Sequence, residues 1–293
     1  MDNNGYGLLI VGALALLPAG CVSLPVVEDY AAHSRATIAS TKPVAEDFYH
    51  SCLRANSYKP LAMHSKCETE LGASRAILQI ASVLDAYTAT LGALAADQLA
   101  DYGAELNQLT DEVKKLEGMK ERQVDAIGQL SLLIANTATS AYRQKQMVRF
   151  LRGGDQAVGV VAEGLADLLE SHYRRAINLE LTAWTEGYRR VERVARDSNP
   201  LAREGHAQTQ WRQYNELQAR LATTASLAGS LRAIGHTHHK LTREAEQISG
   251  QEVYASVRAF IENTKPVLKE VQAAFSNQWV TTHGYKACGT RAV

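Results

Sequence analysis

The sequence predicts an all-α protein, an elongated antiparallel bundle of long helices. Three observations carry this. Among its 293 residues there are only six prolines and four phenylalanines, against abundant Ala, Leu, Gln, Glu and Arg, a helix-forming composition. Apolar residues recur at spacings of three and four over long stretches. Sustained period-two alternation of β-branched residues is missing, so no strands are predicted.

Taken in order, a first helix is expected from about Glu28 to Asn56, after a short tether at residues 21–27. Pro43 lies inside it and kinks it or divides it in two, because proline removes a helical hydrogen bond and clashes with the preceding turn. Ser57-Tyr58-Lys59-Pro60 reads as a turn. Ser65-Lys66-Cys67-Glu68 has the S-x-x-E form of a capping box opening the next helix. In that helix Ile77, Ile80, Ala81, Leu84, Leu91, Leu94 and Ala95 trace one apolar stripe. The pattern continues through Leu99, Tyr102, Leu106, Leu109, Val113 and Leu116, with Gly118 suited to a C-cap. A third helix is expected from about Lys120 to Leu151, with Val124, Ile127, Leu130, Ile134, Thr137 and Ala141 inward. Arg152-Gly153-Gly154-Asp155 then reads as a tight interhelix loop, since glycine weakens helix interiors. A fourth helix spans about Gln156 to Asp197. Ser198-Asn199-Pro200 ends it and starts a fifth, with Pro200 at the first helical position, running to about Ile248. Ser249-Gly250-Gln251-Glu252 is a second capping box, and a sixth helix covers Glu252 to about Ser276 with Pro266 inside. Helices of roughly forty residues reach about 60 Å, so short connections give an elongated bundle, here read as one domain over residues 28–293.

The first twenty residues differ in kind. Gly7 to Leu17 is an unbroken apolar run followed by Pro18-Ala19-Gly20-Cys21. An apolar core of about 7–15 residues ending in small residues reads as a signal peptide (1–20), too short to span a bilayer. Cys directly after Ala-Gly resembles the lipobox of bacterial envelope lipoproteins, with Pro18 where that pattern has Leu and Leu17 one residue further back. The resemblance implies lipidation of Cys21 as the new N-terminus. Val22 after it implies sorting to the outer membrane, with the protein facing the periplasm. Two or more acyl chains, at about 0.8 kcal/mol per buried methylene, make a stable anchor. No later apolar run looks long and clean enough to cross a membrane. Ile77 to Ala96 comes closest, but Gln79, Asp85 and Tyr87 interrupt it, and it reads as core.

Lys plus Arg equals Asp plus Glu at 31 each, which argues against nucleic acid as a partner. Past Cys21 three cysteines remain. In an oxidising compartment two are expected to pair. A Cys52–Cys67 disulfide fits best, one cysteine ending a helix and the other beginning the next across a turn. Closing a loop of about 15 residues stabilises by about 3 kcal/mol on the chain-entropy model. Cys288 competes for either partner.

Catalytic signatures such as G-x-S-x-G, H-E-x-x-H, a phosphate-binding glycine loop or C-x-x-C are absent, and no cofactor is implied. In Gly235-His236-Thr237-His238-His239, His236 and His239 lie three apart on one helical face, a ligand-compatible spacing. Their face neighbours Arg232, Thr242 and Arg243 are the wrong kind, so a metal needs a carboxylate from another helix. A solvated polar face is the preferred reading, with a pH-responsive contact as a further one. Arg143, Lys145, Arg149 and Arg152, and Arg174, Arg175, Arg189, Arg190, Arg193 and Arg196, suit a docking surface for anionic headgroups or an acidic partner. The Glu186–Arg190 and Glu192–Arg196 spacings favour a solvated helix with i,i+4 pairs instead. Trp184, Tyr188, Trp211, Tyr214 and Tyr254 read as packing residues, and Asp85 and Asn136 as polar edges of apolar stripes.

The function expected from all this is a non-enzymatic binding or scaffolding module for another envelope protein, held to the membrane through Cys21. A periplasmic protector against a delivered toxin is a second version. An envelope hydrolase with a scattered active site is the rival class.

Overall fold

A computed structural model describes residues 24–96, 120–137, 143–194, 199–247 and 250–276. The elements are α1 (Leu24–Ala39), α2 (Thr41–Ser57), a single 3-10 turn (Leu61–Met63), α3 (Glu68–Ala95), α4 (Glu121–Thr137), α5 (Arg143–Asp167), a π-helical turn (Leu168–Tyr173), α6 (Arg174–Val194), α7 (Pro200–Gln247) and α8 (Gly250–Phe275). Every element is helical, as the sequence predicts.

The first predicted helix is divided in two. The break falls at Ser40, and Pro43 sits in the first turn of α2, where its missing N–H costs nothing. α1 begins at Leu24, so the helix takes in most of the expected tether. α1 and α2 together lie antiparallel along α3, with Ala31 against Gly92 and Arg35 paired with Asp85 at 3.0 Å. The whole predicted stripe of α3 is buried. α3 is in fact long and apolar enough to cross a membrane by composition, against the sequence reading. However, 61% of its most apolar window is buried inside the protein, which makes it the core helix that was expected.

Cys52 and Cys67 are bonded, with their Cα atoms 5.8 Å apart. The expected capping box at Ser65 does not form. Glu68 is the first helical residue, and the residue before it, Cys67, is left-handed at φ 60, which costs a non-glycine about 1–2 kcal/mol. Ser65 Oγ instead accepts the Cys67 N–H at 3.2 Å. Asn56 clamps Ser65, donating to its carbonyl at 2.7 Å and accepting its N–H at 2.9 Å. The hairpin end is thus fixed by covalent and amide contacts rather than by a serine cap.

The second correction concerns Arg152–Asp155. These residues are inside α5, not in a loop. α4 and α5 are antiparallel, Leu133 lying against Gly153 and Gln123 against Gly164. Gly154 is helical because another helix needs its hydrogen. A Cβ there would lie 2.4 Å from Tyr87 Oη. At Gly235 a Cβ would lie 3.0 Å from the Cα of Gly159, so α5 and α7 also approach closely.

α5, the π turn and α6 form one continuous run. At the π turn the Arg174 N–H reaches back to the carbonyl of Leu169, five residues earlier. α7 runs antiparallel to this whole length, as Asp155–His239, Glu163–Arg232 and Trp184–Gln213 contacts show. α8, with Pro266 inside as expected, packs Val253, Val257, Phe260, Val271 and Phe275 into the core. Its Phe260 contacts Tyr30 and His33 of α1. Cys21, Cys288, Arg196, Ser198, Ser249, Ala141, the side chains of Arg143 and Lys145, and the stripe from Leu99 to Leu116 with Gly118 lie outside the described residues.

Candidate functional site

Among the described residues, no third ligand converges on the predicted pair His236 and His239. His236 is exposed, while His239 Nδ1 bonds Asp155 Oδ2 at 2.8 Å. The carboxylate from another helix does exist, but it serves a different arrangement centred on His238, which the sequence reading passed over. His238 is fully buried, with Nε2 2.7 Å from Tyr87 Oη and Nδ1 3.5 Å from Asp155 Oδ1. Tyr87 Oη also lies 3.3 Å from the Phe150 carbonyl, the longer of its two polar contacts, and its ring stacks on the Phe150 ring at 4.6 Å. Burial pushes the His238 pKa below its usual value, so the ring is neutral at pH 7. With Nε2 accepting from Tyr87, the proton belongs on Nδ1, toward Asp155. The His238 imidazole, and after it His239, hold the Asp155 carboxyl below its usual range despite partial burial.

This Tyr87–His238–Asp155 series has the composition of a relay, but its phenol is a poor nucleophile. Burial raises the Tyr87 pKa well above normal, and the ring is fully buried. Only its Asp155 and His239 end reaches solvent, in a cleft between α4, α5 and α7. Among the described residues, three potential ligands converge within metal-binding reach only at Cys52, Cys67 and Glu70. The two sulfurs there are already bonded to each other.

A second buried constellation joins α2, α6 and α7. Arg54 bridges two carboxylates, donating to Asp47 at 2.6 and 3.0 Å and to Glu180 at 2.6 and 2.9 Å. Tyr173, on the π turn, donates to Asp47 at 2.6 Å, and Arg220 stands 3.6 Å from the same carboxylate. Burial alone would push the Asp47 pKa up, but the Arg54 and Arg220 guanidiniums outweigh it and hold the carboxyl well below the usual range. Two acids against two bases leave the group neutral, as burial requires. Its role is to fix how the helices meet.

The third feature is one end of the molecule. Gly187 packs on Tyr58, and beyond that level α6 and α7 run on past the other described helices. Gln213 ties them together, its Oε1 accepting from Tyr188 at 2.8 Å and Trp184 at 3.2 Å. Arg190 donates to the Tyr58 carbonyl. Trp184 and Tyr188 are buried, as expected of packing residues. Trp211, Tyr214 and Tyr254 are not. Trp211 is 68% exposed, and with it on the projecting end are Val194 (87%) and Leu201 (79%). Leu61 and Met63, on the disulfide-closed loop beside Tyr58, are exposed as well. Between α6 and α7 lies a cleft of about 1040 Å³. Elsewhere the basic residues Arg149, Arg152, Arg174 and Arg175 are solvated, and Asp85 pairs with Arg35 at a stripe edge.

No protein-family model matches this chain, and no match was found for it among curated proteins or among solved structures.

Proposed function

We propose that this protein is an envelope lipoprotein, tethered to the outer membrane through Cys21 and facing the periplasm, that works without catalysis. Its bundle is a stalk that holds a binding tip away from the membrane. The observation that carries this reading is the exposed aromatic and apolar tip formed by Val194, Leu201, Trp211 and Tyr214, at the end opposite the start of α1.

The distance follows from helix geometry. The Tyr30 hydroxyl donates to the Ile234 carbonyl at 3.0 Å, which sets α1 level with that point of α7. From Ile234 to Pro200 is about 34 residues, so about 50 Å, and Leu24 lies about 9 Å the other way at 1.5 Å per residue. The start of α1, three residues after Cys21, and the tip are therefore separated by about 60 Å of helix. Exposed Trp, Tyr and Leu at the end of a rigid projection suit a protein partner. A protector against a delivered toxin is one version of the same reading. The hydrolase reading is weaker, because Tyr87 and His238 are sealed in the core.

Photo-crosslinking in intact cells tests this. With p-benzoylphenylalanine at position 194, 201 or 211, a discrete adduct with an envelope protein is expected. Leu179 and Tyr254, exposed on the shaft, are the control positions. Adducts of equal yield from the shaft, or none from the tip, overturn the assignment. Cys21→Ser should release the protein from the membrane fraction or stall it as precursor, and wild-type fractionation would remove the anchor.

A further inference from the structure

We infer that the cleft at the tip takes an acidic segment of its partner, one that carries apolar residues beside its carboxylates. This rests on the tip being the binding surface, and adds the chemistry of what binds.

The walls of the cleft bring Arg189 and Arg193 of α6 toward Arg203 and His206 of α7, with Val191 and Pro200 as apolar lining. Two carboxylates, Glu192 and Glu204, share this lining, so three guanidiniums face two acids, a net charge of +1 in a chain whose overall charge is zero. The count understates the positive character, because the arginines are uncommitted. Arg35, Arg54, Arg220, Arg232 and Arg258 are each paired with a carboxylate. Arg189, Arg193 and Arg203 have no such partner among the described residues. Arg193 only donates to the Arg189 carbonyl at 3.4 Å, and Glu204 is engaged by Gln208 at 3.2 Å. Arg212, beside Trp211, is a further exposed cation with no carboxylate partner among the described residues.

His206 points the same way. Its ring lies 4.7 Å from that of Tyr188, which fixes its orientation, yet its Nε2 is shielded from solvent and has no hydrogen-bond partner among the described residues. A carboxylate entering the cleft supplies one. Arginines presented in pairs suit carboxylates because the planar guanidinium forms bidentate bonds. The apolar half of the ligand is received by Trp211, Tyr214, Leu201 and Val194. Trp, Tyr and Arg together are the residues on which binding energy at protein interfaces concentrates. A purely apolar partner leaves the arginines without purpose, and a purely anionic one leaves Trp211 and Leu201 in water.

The test is selection without a presumed sequence. A display library of random 16-residue peptides is panned against the full chain and against the triple variant Arg189→Gln, Arg193→Gln, Arg203→Gln, whose melting temperature should be unchanged because these side chains form no ion pairs. Peptides enriched on the wild type should be rich in Asp and Glu next to Leu, Phe or Trp. By fluorescence anisotropy their affinity should fall at least 10-fold in the triple variant, and 10-fold or more between 50 and 500 mM salt. Trp211→Ala should weaken the same peptides. The inference fails if no peptides are enriched, if they carry no acidic excess, or if the triple variant binds them equally. It also fails if the full chain instead sediments with vesicles of 30% phosphatidylglycerol in a way that the triple variant loses, since the ligand is then a lipid surface. Photo-adducts at the tip that persist in the triple variant would refute the acidic chemistry while leaving the tip as the binding surface.

Discussion

Gly154→Ala is the sharpest test of how α3 meets α5. The new methyl would sit 2.4 Å from Tyr87 Oη and 2.6 Å from its Cζ and Cε2. Tyr87 is fully buried, stacked on Phe150 and bonded to His238, so it has nowhere cheap to go. Overpacking a core costs about 1–3 kcal/mol, and a buried hydroxyl and imidazole pulled apart cost about 1–3 kcal/mol more. Removing glycine from a helix interior returns about 0.5–1 kcal/mol. The net is a destabilisation of about 3 kcal/mol. Gly159→Ala, in the same helix, is the control. Nothing lies within 4 Å of its Cβ, so it should gain about 0.5–1 kcal/mol. Urea unfolding followed by circular dichroism measures both. Adding Tyr87→Phe to Gly154→Ala should restore part of the loss and not all, because Cζ and Cε2 still collide after Oη is gone. Equal stability of the two alanine variants would refute the close approach and would favour the loop expected from the sequence.

The remaining predictions concern the other fixed points. Cys52→Ser with Cys67→Ser should cost about 3 kcal/mol, the chain-entropy value for a 15-residue loop, read from the urea midpoint of wild type and variant. Glu180→Ala leaves Arg54 buried with one carboxylate fewer, and breaking a buried pair costs about 3–5 kcal/mol. Arg35→Ala, which breaks the exposed pair with Asp85, should cost less than about 1 kcal/mol, and equal losses would contradict the burial argument. Acidification should destabilise the protein from about pH 6.5 downward. Burial lowers the His238 pKa in the folded state, so the unfolded chain binds the extra proton first, and the stability tied to the neutral ring is full above about 6.5 and lost below it. Tyr87 and Tyr30 face the ring without charge, while Asp155 keeps its own contribution until the pH falls below about 4. His33, lowered by burial and by Lys265, acts in the same direction. Each histidine contributes at most about 1.4 kcal/mol per pH unit. His238→Gln should flatten the urea-midpoint profile between pH 5 and 7, and an unchanged slope would refute the assignment.

Much of the fold was legible because it is periodic. The stripe from Ile77 to Ala95 was read directly from spacing, and Pro200 marked the start of α7. The disulfide was legible from a turn placed between two helix ends. Gly153-Gly154 was misread because local propensity was the only guide there. The reason for Gly154 is the ring of Tyr87, 67 residues away, and no window of sequence contains both. Ser65 was misread for a similar reason. The disulfide and Asn56 override the cap that the local motif suggests.

The buried polar residues were legible in principle, through register rather than spacing between like residues. His236 and His239 stand out in the sequence because they are three apart. His238 is the one that continues the apolar series Leu227, Leu231, Ile234 and Leu241. Glu180 likewise falls in register with Tyr173, Ile177 and Trp184, and Asp47 stands next to Phe48 on the face of Val44. A charged or strongly polar residue in step with an apolar stripe must be paired, because burying it alone costs more than its neighbours return. That rule identifies Asp47, Glu180 and His238 but not their partners, which come from other helices. The tip inverts the argument. Trp211 and Tyr214 lead into Leu217 at helical spacing, so sequence assigns them to the core. They are exposed because, among the described residues, no other helix extends far enough to cover them. Periodicity says which face of a helix is apolar, and only the lengths of the neighbouring helices say where that face runs out of cover. Where α7 outruns its described neighbours, the apolar face of Trp211 and Tyr214 stands in solvent.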